Sequence, residues 1–204
     1  MSDTTPKGLW APRSVEETQK LYAEWADTYE KDVREMGYAT PGRIASALRD
    51  AGADTAAPVL DFGCGTGLSG IALRGAGFEV IDGMDISAEM IAKADAKGAY
   101  RQLWQVEPGS MRHVSRGDYR TITATGVVSL GAAPPETLDM LLGALAPGGL
   151  LALSYNDATL QDAAYTGKLA EVLADAQADL AFEEHGPHLT AKNMNSTVYV
   201  LKTT

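Results

Sequence analysis

The 204-residue chain is 45% hydrophobic and 22% charged, enough to bury one core without disulfide or metal staples. A formal net charge of −10 and a pI near 4.7 argue against a nucleic-acid substrate, because a phosphate backbone needs a basic surface that releases counterions. The lone cysteine, Cys64, excludes an internal disulfide and a thiolate metal cage and points to a reducing, cytoplasmic setting, and no run approaches the roughly eighteen apolar residues of a membrane span.

Residues 1–13 carry Asp3, Thr4, Thr5 and Pro6 but no apolar stretch of an export signal, and a flexible N-terminus is expected there. Ser14-Val15-Glu16-Glu17 has capping-box spacing and predicts a helix to about Asp32. Tyr22, Trp25 and Tyr29, at i, i+3 and i+7, share one face of it, with Val33 beyond. Such a face is either core packing or a lid whose rings cover a cation and whose polar tips hydrogen-bond a carboxylate. Thr40-Pro41-Gly42-Arg43 starts a second helix ending near Gly52, so residues 14–52 read as N-terminal lid helices of the same domain, ahead of a core over residues 53–204.

Val59-Leu60-Asp61-Phe62 is an apolar strand that runs into Gly63-Cys64-Gly65-Thr66-Gly67, and Leu68, Ile71, Ala72 and Gly75 then repeat at helical spacing. Strand, glycine loop and helix form the first βα unit of a nucleotide-cofactor site. Gly65, Gly67 and Gly70 satisfy the GxGxxG pattern of an NAD(P)-binding oxidoreductase. Asp61 favours a different cofactor, because a carboxylate ahead of the loop repels a pyrophosphate but accepts hydrogen bonds from the ammonium of S-adenosylmethionine. Asp85 ends the next strand, where it is expected to take both ribose hydroxyls of either cofactor, and Ser87 caps the helix that Gly98 closes.

Tyr100 to Val106 reads as the third strand, with Trp104 either core or a wall for the cofactor base. The polar loop Gly109–Asp118 holds His113 between Arg112 and Arg116, as a solvated connection or a means of steering an anion. Tyr119 to Thr125 is the expected fourth strand. Gly126 and Val127 lie just past its carboxyl end, beside the methionine part of the cofactor, with Ser129 reaching towards an acceptor. Pro134 and Pro135 open a helix that sends Leu138, Leu141, Leu142 and Leu145 to the core. Leu150 to Tyr155 is a fifth buried strand whose end, Tyr155 and Asn156, is expected to face the acceptor. A further amphipathic helix carries Leu169, Val172, Leu173 and Ala176, and Asp179–Glu184 with Ser196–Leu201 reads as a closing antiparallel hairpin. His185-Gly186-Pro187-His188 reads as a loop pair without the companions of a metal site, so no metal is expected.

The loop Asp61–Gly67 resembles the first motif of the class I S-adenosylmethionine-dependent methyltransferases, and Asp85-Ile86-Ser87-Ala88-Glu89-Met90-Ile91 resembles the second. More narrowly, Tyr22 through Tyr29, Gly37-Tyr38, Gly67-Leu68-Ser69-Gly70, Asp82–Ser87, Gly98-Ala99-Tyr100-Arg101 and Pro147-Gly148-Gly149 resemble the methyltransferase-like proteins of the Williams-Beuren region. The resemblance implies an α/β fold, a single Rossmann-like doubly wound seven-stranded sheet, mostly parallel with an antiparallel C-terminal strand, plus N-terminal lid helices. It tips Tyr22, Trp25 and Tyr29 towards a cofactor lid, with Glu30 where the family carries Asp. It implies cofactor contacts from Asp61, Gly63, Cys64, Gly65, Thr66, Gly67, Asp85, Ile86 and Met90, and places Glu107 at the position of the acid that holds the adenine amino group. The implied activity is in-line methyl transfer to an acceptor that the resemblance leaves unidentified; the acidic charge points to a small molecule, with Tyr155, Ser129 and His113 as candidates for contact with it. Glu107 in place of the usual aspartate, and Arg120 where related chains carry an acid, leave room for a non-catalytic regulatory protein that binds the same cofactor.

Overall fold

The structure, a computed structural model, describes residues 14–204; the segment 1–13, expected to be flexible, lies outside the described residues. Helix α1 (Val15–Glu35) begins where the capping box requires, with Ser14 N donating to Glu17 Oε2 at 2.7 Å and Glu17 N to Ser14 Oγ at 3.2 Å. Helix α2 (Thr40–Asp50) follows, with Pro41 in its first turn, where a missing N–H costs nothing.

The strands are β1 (Val59–Phe62), β2 (Ile81–Asp85), β3 (Gln102–Gln105), β4 (Thr121–Ala124), β5 (Leu150–Asn156), β6 (Ala178–Leu189) and β7 (Met194–Thr203). The intervening helices are α3 (Leu68–Gly75), α4 (Ala88–Asp95), α5 (Thr137–Ala144), α6 (Asp157–Leu160) and α7 (Ala163–Ala174). The strands form one sheet in the order β3-β2-β1-β4-β5-β7-β6. β1 to β5 pair in parallel, and β7 runs antiparallel to both β5 and β6, so six strands share one direction. The chain winds outward from β1 to β3, then returns to β4 on the other side, and that reversal between β1 and β4 opens a crevice at the carboxyl edge.

Period-two alternation sorts each strand between two layers. Leu60, Ile122, Leu151, Leu153 and Tyr155 pack with Leu138 and Leu141 of α5 and with Tyr165, Leu169 and Val172 of α7. Val59, Ile81, Leu150, Ala152 and Val200 pack on the other face with Ile44 and Leu48 of α2 and Leu73 of α3. α2 is thus a core helix, which corrects its reading as part of a lid. A third cluster joins Trp25 and Val33 of α1 and its C-cap Met36 to Leu189, with Tyr22, Tyr29 and Tyr38 against it. Fully buried Asp82 ties three strands at their amino ends, accepting from Arg101 Nε at 2.9 Å and from Tyr119 OH at 2.6 Å.

The closing hairpin is longer than its sequence suggests. β6 continues through His185-Gly186-Pro187-His188 instead of turning there, because register shifts between Leu180 and Phe182 and between Pro187 and Leu189 absorb the irregularity, and an edge strand tolerates proline. Among the described residues no helix is long and apolar enough to cross a membrane.

Candidate functional site

β1 ends at Phe62 and the glycine loop turns over the sheet edge. Gly63 has φ +68°, and a Cβ there would lie 2.3 Å from Val127 Cγ2, so both the backbone sign and the close approach require glycine. Gly67, at φ +90°, opens α3. Gly63 N and Cys64 N donate to Met84 O at 2.8 and 3.0 Å, which hooks the loop onto β2. Asp85 at the end of β2 completes the hook: Oδ2 accepts from Gly65 N at 2.8 Å and Oδ1 from Ser87 N at 2.9 Å. Burial raises its pKa, opposed by the N–H groups of Ser87, Gly65 and Ile86.

A cavity of about 420 Å³ lies over the carboxyl edge, within the roughly 300–1,000 Å³ span of small-ligand sites. α1 roofs it with Tyr22, Trp25 and Tyr29, where Tyr29 meets both other rings edge-to-face, with the Trp25 and Tyr29 centroids 4.8 Å apart. Trp25 Nε1 donates to Asp32 Oδ2 at 2.7 Å, which locks the indole in place. Gly63, Gly65, Asp85, Ile86, Met90, Gly126, Val127 and Ser129 line the same space. Among the described residues no lysine or arginine lines it, and Asp85 is its one carboxylate. A recess of about 40 Å³ beside the glycine loop is lined by Gly63, Cys64, Gly65, Thr66 and Thr125 and capped by Tyr29 and Tyr38. Thr66 Oγ1 and Thr125 Oγ1 are buried there with no hydrogen-bond partner, two orphaned hydroxyls beside the loop.

Four sequence expectations are corrected. Asp61 is fully buried and lines neither space: Ser69 Oγ, Tyr100 OH and Thr123 Oγ1 donate to it at 2.5, 2.7 and 2.9 Å, so it braces the loop from beneath instead of facing an ammonium. Burial pushes its pKa up to about 6 against those three hydroxyls. Tyr155 shares the parity of Leu151 and Leu153 and points into the α5–α7 layer against Tyr165 and Tyr199, whereas Ser154 and Asn156 take the opposite parity and line the cavity. His113 is exposed, stacked on Trp104 with centroids 5.4 Å apart, and its Nε2 accepts from Arg112 Nε at 3.0 Å, outside the cavity. Glu107 is exposed, while its neighbours Val106, Pro108 and Gly109 line the cavity.

Sequence reasoning missed His188. It is buried, lines the cavity and stands edge-on to Tyr38, with centroids 5.3 Å apart. Its Nδ1 lies 2.7 Å from Thr40 Oγ1, which lies 3.2 Å from Ser196 Oγ, and Arg43 Nη1 donates to Ser196 Oγ at 3.0 Å. Burial, reinforced by Arg43 on α2 and opposed by Asp157 on α6, lowers its pKa to about 4, so the imidazole is neutral near pH 7. The extension of β6 past Gly186-Pro187 is what carries it to the cavity.

Residues 34–198 match the family model of the methyltransferase domain. The chain belongs to the class I S-adenosylmethionine-dependent methyltransferases. This methyltransferase is 34% identical over 150 residues to Methyltransferase-like protein 27 of Homo sapiens, a match covering 70% of this chain and 61% of that protein, so the chain spans about three fifths of that relative's length. In fold it is similar to magnesium protoporphyrin IX methyltransferase from Synechocystis PCC 6803 with bound S-adenosylhomocysteine, at TM-score 0.64 and 20% identity over 86% of this chain and 87% of that one. It is also similar to the [4+2]-cyclase SpnF, at TM-score 0.70 and 15% identity over 97% and 99% of the two chains. S-adenosylmethionine is the family's cofactor, and the residues present fit it. The orphaned Thr66 and Thr125 hydroxyls suit the polar methionine end, and Asp85 across the loop suits a ribose.

Proposed function

We propose that the protein transfers a methyl group from S-adenosylmethionine to a small-molecule acceptor, in the cytoplasm, by in-line displacement. The observation that carries this reading is one continuous cavity edge on which the glycine loop, Asp85 and the aromatic face of α1 meet. Asp85 would hold the ribose hydroxyls, and Ile86 and Met90 would flank the adenine. Thr66, Thr125 and the backbone of Gly63 and Gly65 would hold the methionine end, with Cys64 and Gly67 shaping the turn. Gly126 and Val127 would lie beside it, and Tyr22, Trp25 and Tyr29 would cover the sulfonium by cation–π attraction.

When bound, the cofactor supplies an electrophilic methyl whose leaving group, a thioether, needs no protonation. The chain's own work is therefore to align acceptor and donor and to keep water out, which its rigid edge and apolar roof are built to do. The acidic charge balance, and a cavity lined by no lysine or arginine among the described residues, support a small acceptor over a nucleic acid. The core over residues 53–204 with the helices of residues 14–52 is proposed to act as one domain.

Isothermal titration of the chain with S-adenosylhomocysteine, S-adenosylmethionine and NAD tests the reading. Both adenosyl compounds are expected to bind. Asp85→Ala is expected to weaken S-adenosylhomocysteine about 10- to 100-fold, the loss of hydrogen bonds to a charged group worth about 1.5–3 kcal/mol. Preferential binding of NAD, or an unchanged affinity in the variant, overturns it.

A further inference from the structure

One direction of the hydrogen-bond chain behind His188 gives every hydroxyl in it an acceptor. A guanidinium donates and never accepts, so Ser196 Oγ accepts a hydrogen bond from Arg43 Nη1, which also faces Pro187 O and Ser196 O, and the Ser196 O–H goes elsewhere. Among the described residues the acceptor within reach is Thr40 Oγ1, and Thr40 then directs its own O–H to His188 Nδ1. Nδ1 is therefore the ring's acceptor nitrogen, and Nε2 carries the hydrogen. A side chain on the cavity wall thus presents a fixed N–H donor, and the relay denies it the role of a base. Asn156 adds a second donor. Its Oδ1 accepts from Thr159 N at 2.9 Å and Thr159 Oγ1 at 3.0 Å to cap α6, leaving the Nδ2 amide hydrogens of this cavity-lining residue unclaimed among the described residues.

These two neutral donors face an apolar and aromatic wall contributed in part by Met36, Leu130, Ala132 and Leu189, in a cavity that Thr18, Ser129, Thr137 and Asp85 also line. Resting on the methyl-transfer reading above, we propose that the acceptor is a carboxylate on an apolar or aromatic frame, held through its non-attacking oxygen by His188 Nε2–H and Asn156 Nδ2, and that the product is its methyl ester. The chemistry balances without a base. A carboxylate oxygen lone pair forms the new O–CH3 bond, the S–CH3 bond breaks, and its electron pair stays on sulfur as the neutral thioether, with no proton released. The anionic acceptor and the cationic sulfonium neutralise each other, so the chamber needs no cationic side chain. An ammonium acceptor would be repelled by the sulfonium and would need a base to remove its proton, and a phenol would need one as well.

The test is a labelled-methyl assay of the full chain against apolar aliphatic and aromatic acids, phenols, amines and thiols, and against an extract of the source cells. Alkali-labile counts released as methanol report a methyl ester. The expected result is alkali-labile product from acids, a loss of about tenfold or more in kcat/KM in His188→Leu, and recovery of most of it in His188→Gln, which keeps an N–H donor. S-adenosylhomocysteine affinity is expected to be unchanged in both variants. Two-dimensional 15N NMR is expected to show the His188 hydrogen on Nε2 in the wild type and to lose that preference in Thr40→Val. Label only in alkali-stable products, full turnover in His188→Leu, or a pyridine-like Nε2 overturns the proposal. S-adenosylhomocysteine binding with no alkali-labile product from the panel or the extract overturns it too. Failure to bind S-adenosylhomocysteine at all instead brings down the methyl-transfer reading, and the carboxylate assignment with it.

Discussion

Replacing Asp61 by asparagine removes a buried charge while keeping the shape that three hydroxyls surround. Burial raises the carboxyl pKa from 3.8 to about 6, so between those values the native state holds a proton that the unfolded chain has released. The wild type therefore loses stability as pH rises through that window, and the cost levels off above it at about 3 kcal/mol, roughly two pKa units at 1.36 kcal/mol each. Integrating the linkage relation places about 1 kcal/mol of that cost already at pH 4.5 and the remaining ~2 kcal/mol between pH 4.5 and 7.5. Urea unfolding of wild type and Asp61→Asn at matched pH values isolates this quantity, because the other carboxylates titrate alike in both proteins and cancel in the difference. The variant is expected to gain ~2 kcal/mol relative to the wild type across that range, whatever its offset at the acid end. A difference that stays flat with pH, or falls, refutes the assignment of Asp61 as a desolvated brace beneath the loop.

Tyr155→Phe deletes a buried hydroxyl that has no partner, and thermal or urea unfolding is expected to show a gain of about 1 kcal/mol with methyl transfer intact; lost turnover would return Tyr155 to the acceptor site. Arg101→Ala strands the fully buried Asp82 with Tyr119 alone. Breaking a buried pair costs about 3–5 kcal/mol, and with half of the guanidinium facing solvent a loss of about 2–3 kcal/mol is expected in urea midpoints, with S-adenosylhomocysteine affinity unchanged.

Three chemical signals are local, and the first half of the chain already declares them. The strand-glycine-helix unit from Val59, the acid at Asp85 and the aromatic stripe of Tyr22, Trp25 and Tyr29 are each set by short-range rules: φ freedom at Gly63, pairing at the end of a strand, and 3.6-residue periodicity. The same local rules go silent in fully buried strands. β1 and β5 are buried at every position, so no hydrophobic alternation marks which side of Asp61 or Tyr155 meets the cavity, and the facing layer decides. Tyr100 comes from 39 residues away to claim Asp61, and α7 supplies Tyr165 to claim Tyr155. Gly186-Pro187 is turn chemistry by any local measure, and pairing with β7 across two bulges overrides it. His188 reaches the cavity through that extended pairing, and its hydrogen is placed by Thr40, Ser196 and Arg43, three residues that no spacing in the sequence connects to it. Sequence alone determined the cofactor loop and the family, because those depend on contacts within a few residues; the acceptor side depends on α2 meeting β6 and β7 across 148 and 156 residues, and only the folded chain brings its donors together.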